Sequence, residues 1–230
     1  MRNIVVVIPA GGQGRRMGSP TPKQFLPLAE KSILAHTISV FDGLSEVKEI
    51  VVVAPRAYVE RTRTLIRRSR FRKVSAVVSG GSWRQDSVRN GLHACLNKNG
   101  VVLVHDAVRP FVDRNTILAV ARAAQRYGAA VVGVKARDTI KVEGRRRGFF
   151  SRTLDRRTLW AVQTPQGFRF DLLWQAYESA RRSKFVGTDE ASLVERLGKR
   201  VRIVPGPERN LKITTSADLR LARLMVRKKA

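Results

Sequence analysis

The chain has 230 residues and carries 45 Lys and Arg against 18 Asp and Glu, a formal net charge of +27 with its three histidines neutral. That length suits one large domain of roughly 200 to 250 residues, and 43% hydrophobic residues interleaved with the charge exclude a disordered polycation. The single cysteine, Cys95, excludes an intramolecular disulfide and a zinc site built on several thiolates, and predicts a reducing, cytoplasmic setting.

Apolar runs rich in β-branched residues predict buried strands at Ile4 to Ile8, Ile50 to Ala54, Val74 to Val78, Val101 to Val104, Ala130 to Val134 and Val201 to Val204. Between them, Ile33, Ile38 and Phe41, and later Ile117, Leu118, Val120, Ala121 and Ala124, recur at helical spacing. Strands alternating with helices predict a parallel α/β sheet covered on both faces. Such sheets bind ligands beyond the carboxyl ends of their strands, so chemistry is sought in the residues that follow each strand. The apolar stretch Ile4 to Ala10 is too short to cross a bilayer and runs into glycines and arginines, so neither a membrane partner nor a leader segment is expected.

The first predicted strand ends in Pro9-Ala10-Gly11-Gly12-Gln13-Gly14-Arg15-Arg16-Met17-Gly18. Met17 stands where a dinucleotide fingerprint needs glycine, and the Gly-Lys-Ser/Thr ending of a P-loop is absent. The physics of phosphate binding is nevertheless present. Consecutive glycines admit a ligand close to backbone N–H groups, arginines in the same loop supply charge, and Pro22-Lys23-Gln24-Phe25 adds another cation.

The strand at Val101 to Val104 runs into His105-Asp106-Ala107-Val108-Arg109-Pro110-Phe111. Asp106, at the end of a central strand, suits either a sugar hydroxyl or a magnesium ion, and Arg109 suits a bidentate bond to phosphate. His105 reads as a structural hydrogen-bonder rather than an acid or base. Cys95, with Leu92 and Leu96 nearby, reads as helix packing. Further polar clusters lie at Gly80 to Ser87, Leu154 to Trp160, Thr188 to Ala191 and Asn210 to Thr215. In the third of these Thr188 serves equally well as a helix N-cap or as a ligand.

From about Asp138 to Thr164 the rhythm breaks into a strand, a polar turn with Arg145-Arg146-Arg147, and a return strand bearing Phe149 and Phe150. A projecting arm with two aromatics calls for a second copy of the chain to pack on, which predicts a homodimer; an excursion folded back on its own subunit is the simpler alternative. The tail Arg227 to Lys229 reads as a solvated helix end. The basic run Arg67 to Lys73 motivates a nucleic-acid-binding alternative. No interleaved aromatics or known module accompany it, so no specific nucleic-acid partner is expected.

Taken in order, these motifs resemble the 2-C-methyl-D-erythritol 4-phosphate cytidylyltransferase family over nearly the whole chain. The resemblance implies a Rossmann-like three-layer α/β sandwich of the nucleotide-diphospho-sugar transferase type with a protruding β-arm. It also implies a single cytidylyltransferase domain over residues 1–230 with a dimerisation arm at about 138–164. CTP would meet Pro9, Ala10, Gly11, Gly12 and Gly14, with Gly81, Ser82 and Ser87 reading cytosine and Asp106 and Ala107 facing the ribose. Arg16, Lys23, Arg156 and Lys212 would be catalytic, while Arg109, Thr139, Arg156 and Thr188 would bind the sugar-alcohol phosphate. Mg²⁺ would be held mainly through the CTP phosphates, with no protein metal site. One departure, Ala10-Gly11-Gly12 in place of the family's usual Ala-Ala-Gly, is common in ribitol-5-phosphate cytidylyltransferase, the alternative within the same chemistry.

Overall fold

The computed structural model describes residues 3–12 and 21–227. Its elements are, in chain order, β1 (Ile4–Pro9), β2 (Pro27–Leu28), β3 (Lys31–Ser32), α1 (Ile33–Asp42), β4 (Val47–Ala54), α2 (Val59–Arg68), β5 (Val74–Ser79), α3 (Arg84–Ala94), β6 (Val101–Val104), α4 (Arg114–Tyr127) and β7 (Ala129–Lys135). They continue with β8 (Lys141–Glu143), β9 (Phe150–Thr153), β10 (Trp160–Arg169), α5 (Phe170–Arg182), α6 (Glu190–Arg196), β11 (Arg202–Pro205) and α7 (Ser216–Arg227). The main sheet has seven strands in the order β11-β7-β10-β6-β1-β4-β5.

The predicted strands are all present, and β1, β4, β6 and β7 are buried as expected because a strand covered on both faces needs apolar residues at every position, whereas β5 and β11, also expected to be buried, are the partly exposed edges of the sheet. In β1, Ile4, Val6 and Ile8 enter one core with Leu34, Ile38 and Phe41 of α1 and with Ile117, Val120 and Ala121 of α4. Val5 and Val7 enter the other, with Val88 and Leu92 of α3 and Leu173, Ala176 and Tyr177 of α5. That division is the three-layer sandwich. Helix α3 lies close against the sheet: a Cβ built on Gly91 would fall 2.5 Å from Val7 Cγ1 and 2.8 Å from Val53 Cγ2, so glycine is needed there. Local chemistry sets the helix starts, with Ser32 Oγ accepting from the Ala35 N–H at 3.2 Å and Asp113 Oδ1 from the Thr116 N–H at 2.7 Å.

Two expectations are corrected. The sheet is mixed rather than parallel, since β10 runs antiparallel to both β6 and β7. The arm is also shorter than 138–164. Trp160, Ala161 and Val162 already pair with Lys135, Val134 and Gly133 in the main sheet, which leaves the β8–β9 hairpin as the excursion. Its Phe149 and Phe150 are exposed, at 56% and 73%. Each carries a cation of the same hairpin over its ring, Arg146 at 4.4 Å and Lys141 at 5.6 Å. No helix among the described residues is long and apolar enough to cross a membrane.

Candidate active site

The carboxyl ends of β1, β4, β5 and β6 open into a cavity of about 610 Å³. One wall is Pro9, Ala10, Gly11 and Gly12, seated on the neighbouring strand by the Ala10 N–H donating to the Val53 carbonyl at 2.7 Å. Lys23, at the start of a 3₁₀ turn spanning Lys23–Phe25, lines the same wall. Its Cε lies 3.3 Å from where a Cβ on Gly12 would stand, so the side chain runs against the glycine loop. The turn is fixed from behind. Gln24 is buried and its amide donates to the Ala10 carbonyl, while the Phe25 ring stacks on Tyr58 at 5.3 Å with the Arg61 guanidinium 4.9 Å from its centre.

The facing wall is the loop between β5 and α3, with Gly80, Gly81, Ser82, Trp83 and Ser87 on the cavity. The buried Ser87 hydroxyl accepts from the Gly81 N–H and donates to the Trp83 carbonyl, both at 3.1 Å. A Cβ at Gly81 would meet Asp86 Cβ at 2.3 Å, so this tight turn requires glycine. Its backbone groups are thereby held in a fixed array beside the cavity.

The floor is Asp106 and Ala107. The Asp106 N–H donates to Thr164 Oγ1 at 3.0 Å, and the Thr37 hydroxyl donates to the Ala107 carbonyl at 2.9 Å. Three cations converge on the Asp106 carboxylate, Lys212 Nζ at 2.8 Å, Arg109 Nε at 3.6 Å and Arg84 Nη2 at 3.7 Å. Burial pushes this carboxyl up, but Lys212, Arg84 and Arg109 together outweigh it and hold it at about 2. The floor is thus a fixed anion within a ring of positive charge, shaped to receive a polyanion.

His105 is fully buried, and its Nε2 is 3.0 Å from the Arg109 carbonyl, the structural role expected of it. Burial lowers its pKa to about 4, against the smaller opposing pull of that carbonyl and of Asp106. An unfolded chain takes up this proton near pH 6.5 and the folded one only near 4, so acid favours unfolding across that window. We expect His105 to contribute about 3 kcal/mol to the stability lost between pH 6.5 and 4. Urea unfolding at several pH values should show a shallower decline for His105→Gln; an unchanged slope would remove His105 as the cause.

The structure brings Pro9, Ala10, Gly11, Gly12, Lys23, Gly81, Ser82, Ser87, Asp106, Ala107 and Lys212 onto one cavity. Gly14 and Arg16 lie outside the described residues. Arg109 is buried below the floor instead of on the wall, with Nη1 donating to the Asn210 carbonyl at 2.7 Å. Thr139, Arg156 and Thr188 are exposed and off the cavity wall of a single chain, and Arg156 donates to the Arg137 carbonyl at 2.9 Å. Thr188 is not the helix cap. Asp189 caps α6, accepting from the Ser192 N–H at 2.9 Å while Ser192 Oγ faces the Asp189 N–H at 3.5 Å.

Cys95 ends α3 as a buried cap, but its neighbour Leu96 points to solvent at 82% exposure. From the basic run, Arg67, Arg68, Arg70, Arg72 and Lys73 are all off the cavity wall. Arg209 pairs with Asp113 at 2.8 Å. Sequence reasoning missed Arg84, Trp83 and Arg56 on the wall. Arg84 and Trp83 fall inside the quoted Gly80 to Ser87 cluster, the one signal that pointed to them.

A family model described as 2-C-methyl-D-erythritol 4-phosphate cytidylyltransferase matches residues 4–228. The protein of that name from Pelotomaculum thermopropionicum is 45% identical over 228 residues, covering 99% of this chain and 95% of the relative. The one from Syntrophotalea carbinolica is 47% identical over 222 residues, covering 96% and 94%. The solved 4-diphosphocytidyl-2C-methyl-D-erythritol synthase of Anaerococcus prevotii is similar in structure, with a TM-score of 0.84 at 26% identity over 98% of this chain and 99% of that one. With the match running through both walls and the floor of the cavity, the chain belongs to the 2-C-methyl-D-erythritol 4-phosphate cytidylyltransferase family.

Proposed function

We infer that the protein transfers the cytidylyl group of CTP to 2-C-methyl-D-erythritol 4-phosphate, releasing pyrophosphate and giving the CDP-alcohol of non-mevalonate isoprenoid synthesis. The observation that carries this reading is the full-length family match converging on one cavity with Lys23, Asp106 and Lys212 on its walls. A phosphate oxygen of the alcohol phosphate attacks the α-phosphorus of CTP, and the bond to the oxygen bridging the α- and β-phosphates breaks. The nucleophile is already an anion, so no general base is required, in keeping with a buried His105 whose proton affinity is lowered. What the site must overcome is repulsion between two anions and the charge building on a five-coordinate phosphorus, which fixed cations answer.

In this reading Lys23 and Arg16 stabilise the α-phosphate, Lys212 guides the incoming phosphate, and the backbone of Gly81 and Ser82 with Ser87 reads the cytosine edge. Asp106 is the one carboxylate among the described residues of the wall. No cluster of three His, Cys, Asp or Glu side chains among the described residues suits a metal, and Asp106 is already engaged by Lys212. A Mg²⁺ ion held mainly through the CTP phosphates would neutralise their charge and polarise the phosphorus.

Thr139 and Arg156 lie off the wall of a single chain, and the β8–β9 hairpin exposes Phe149 and Phe150. Both features support a homodimer in which Thr139 and Arg156, flanking the base of each arm within one cytidylyltransferase domain, reach toward the partner's cavity. We place the enzyme in the cytoplasm with no specific nucleic-acid partner. Pyrophosphate release should be fast with CTP and 2-C-methyl-D-erythritol 4-phosphate and at least tenfold slower, in kcat/KM, with D-ribitol 5-phosphate, a discrimination of about 1.4 kcal/mol. The reverse preference would assign the ribitol reaction.

A further inference from the structure

One buried carboxylate beside the cavity has no part in the reaction as described. Glu190 opens α6 and is 1% exposed. Its Oε1 accepts from Arg84 Nη1 at 2.7 Å and from the Tyr177 hydroxyl at 2.9 Å, and its Oε2 accepts from Arg84 Nη2 at 2.9 Å. Two parallel bonds fix both the plane and the direction of a guanidinium. Arg84 begins α3, keeps 36% of its side chain accessible on the cavity wall, and reaches to within 3.7 Å of Asp106 Oδ1.

The carboxylate is held as firmly as the cation it grips. The Gln85 amide donates to the Phe185 carbonyl at 3.0 Å, and its oxygen accepts from the Gly187 N–H at 2.9 Å. From the sheet side, the Gln166 amide donates to Asp189 Oδ2 at 2.8 Å and its oxygen accepts from the Ala191 N–H at 3.2 Å. The start of α6 is therefore tied to α3 and to β10 at once. Buried ion pairs typically stabilise a fold no better than well-packed apolar side chains do. What this pair secures is the place of one charge.

We propose that Glu190 is a positioning residue for the transfer reaction: it holds the Arg84 guanidinium on the cavity wall, short of Asp106, so that Arg84 meets the polyanionic nucleotide as a further substrate-binding cation. The proposal rests on the activity inferred above. Arg84 has two carboxylates within reach, Glu190 at 2.7 Å and Asp106 at 3.7 Å. With Glu190 neutral, the guanidinium closes the remaining gap to Asp106 and covers the acceptor that faces the ribose. The lost cation and the blocked anion then both weaken nucleotide binding.

The test is a double-mutant cycle of Glu190→Gln and Arg84→Met, read by steady-state pyrophosphate release and by calorimetric titration with CTP. Each single change should lower kcat/KM by about ten- to a hundredfold, the range for hydrogen bonds to charged groups. The double variant should be no worse than Arg84→Met, because Glu190 then has nothing to place. Wild-type kcat/KM in Glu190→Gln, or losses that multiply in the double variant, would overturn the proposal. Should Glu190→Gln fail to fold, Tyr177→Phe replaces it in the same cycle. A few-fold loss that vanishes beside Arg84→Met supports the role, and no loss refutes it. If the wild-type chain itself releases no pyrophosphate, the activity inferred above fails, while CTP affinity still reports on the clamp.

Discussion

Lys23→Ala is expected to cut the rate of cytidylyl transfer by about a hundred- to a thousandfold, the usual cost of removing one fixed donor to a developing oxyanion. The size follows from how firmly the charge is placed. Lys23 sits on a turn anchored by the buried Gln24, by the Phe25–Tyr58 stack and by Arg61, none of which the substitution touches. Its stem runs against Gly12, in the loop whose backbone faces the phosphates in our reading. Because the anchoring residues remain, the melting temperature should move by only a degree or two, about the effect of a partly exposed side chain. The loss should fall chiefly on kcat, since the donor matters most where charge accumulates. Turnover within a few-fold of wild type would displace Lys23 from the chemistry.

Asp106→Asn should be costly for a different reason. The carboxylate faces Lys212, Arg84 and Arg109, the first two on the cavity wall and the third buried off it. An amide in its place leaves Lys212 and Arg109 without this carboxylate and beside an Arg84 that only Glu190 then compensates, and we expect a loss of about 2 to 4 kcal/mol at neutral pH. The pH dependence has a definite sign. A folded-state pKa of about 2 against 3.8 in the free side chain means that the stabilisation is complete above about pH 4 and disappears as pH falls toward 2. Chemical denaturation should therefore show a gap between wild type and Asp106→Asn that is wide at pH 7 and narrows below pH 4. The variant should also bind CTP less tightly, having lost the acceptor that faces the ribose in our reading. Equal stability of the two proteins at pH 7 would contradict the ring of charge as an energetic unit.

The parts of this architecture that were legible in the sequence are those in which neighbours in the chain are neighbours in space. Ile4 to Ile8 read as a buried strand because both faces of β1 are covered. The glycine loop and the His105 to Phe111 stretch read as a site because each lies directly after a strand. Strand β10 did not read so. Its first residues are partly exposed, and Thr164-Pro165-Gln166-Gly167 has the composition of a turn, while the register slips between Val162 and Gln166 to accommodate them. At α6, Thr188 and Asp189 are both good caps, and only the reciprocal pairing with Ser192 separates them. The clamp on Arg84 joins positions 106 residues apart in the chain. Nothing local in either segment announces such a partner, which only the folded sheet brings near.

The position of β10 also bears on how the chain is made. Residues 160–169 are synthesised after β7, yet they must enter between β6 and β7. Until they emerge from the ribosome, β6 and β7 each present an open edge. At roughly 5 to 20 residues per second, the interval between completing β7 and completing β10 lasts a few seconds. Because β6 and β7 point the same way in the finished sheet, premature pairing between them would close the slot that β10 needs. The hairpin arm, lying between β7 and β10, thus lengthens the delay during which that slot must stay open. Thr164, which anchors the Asp106 backbone, arrives with the same strand. The growing chain therefore carries the glycine loop from the outset but gains the anchor of its Asp106 floor only once β10 has emerged.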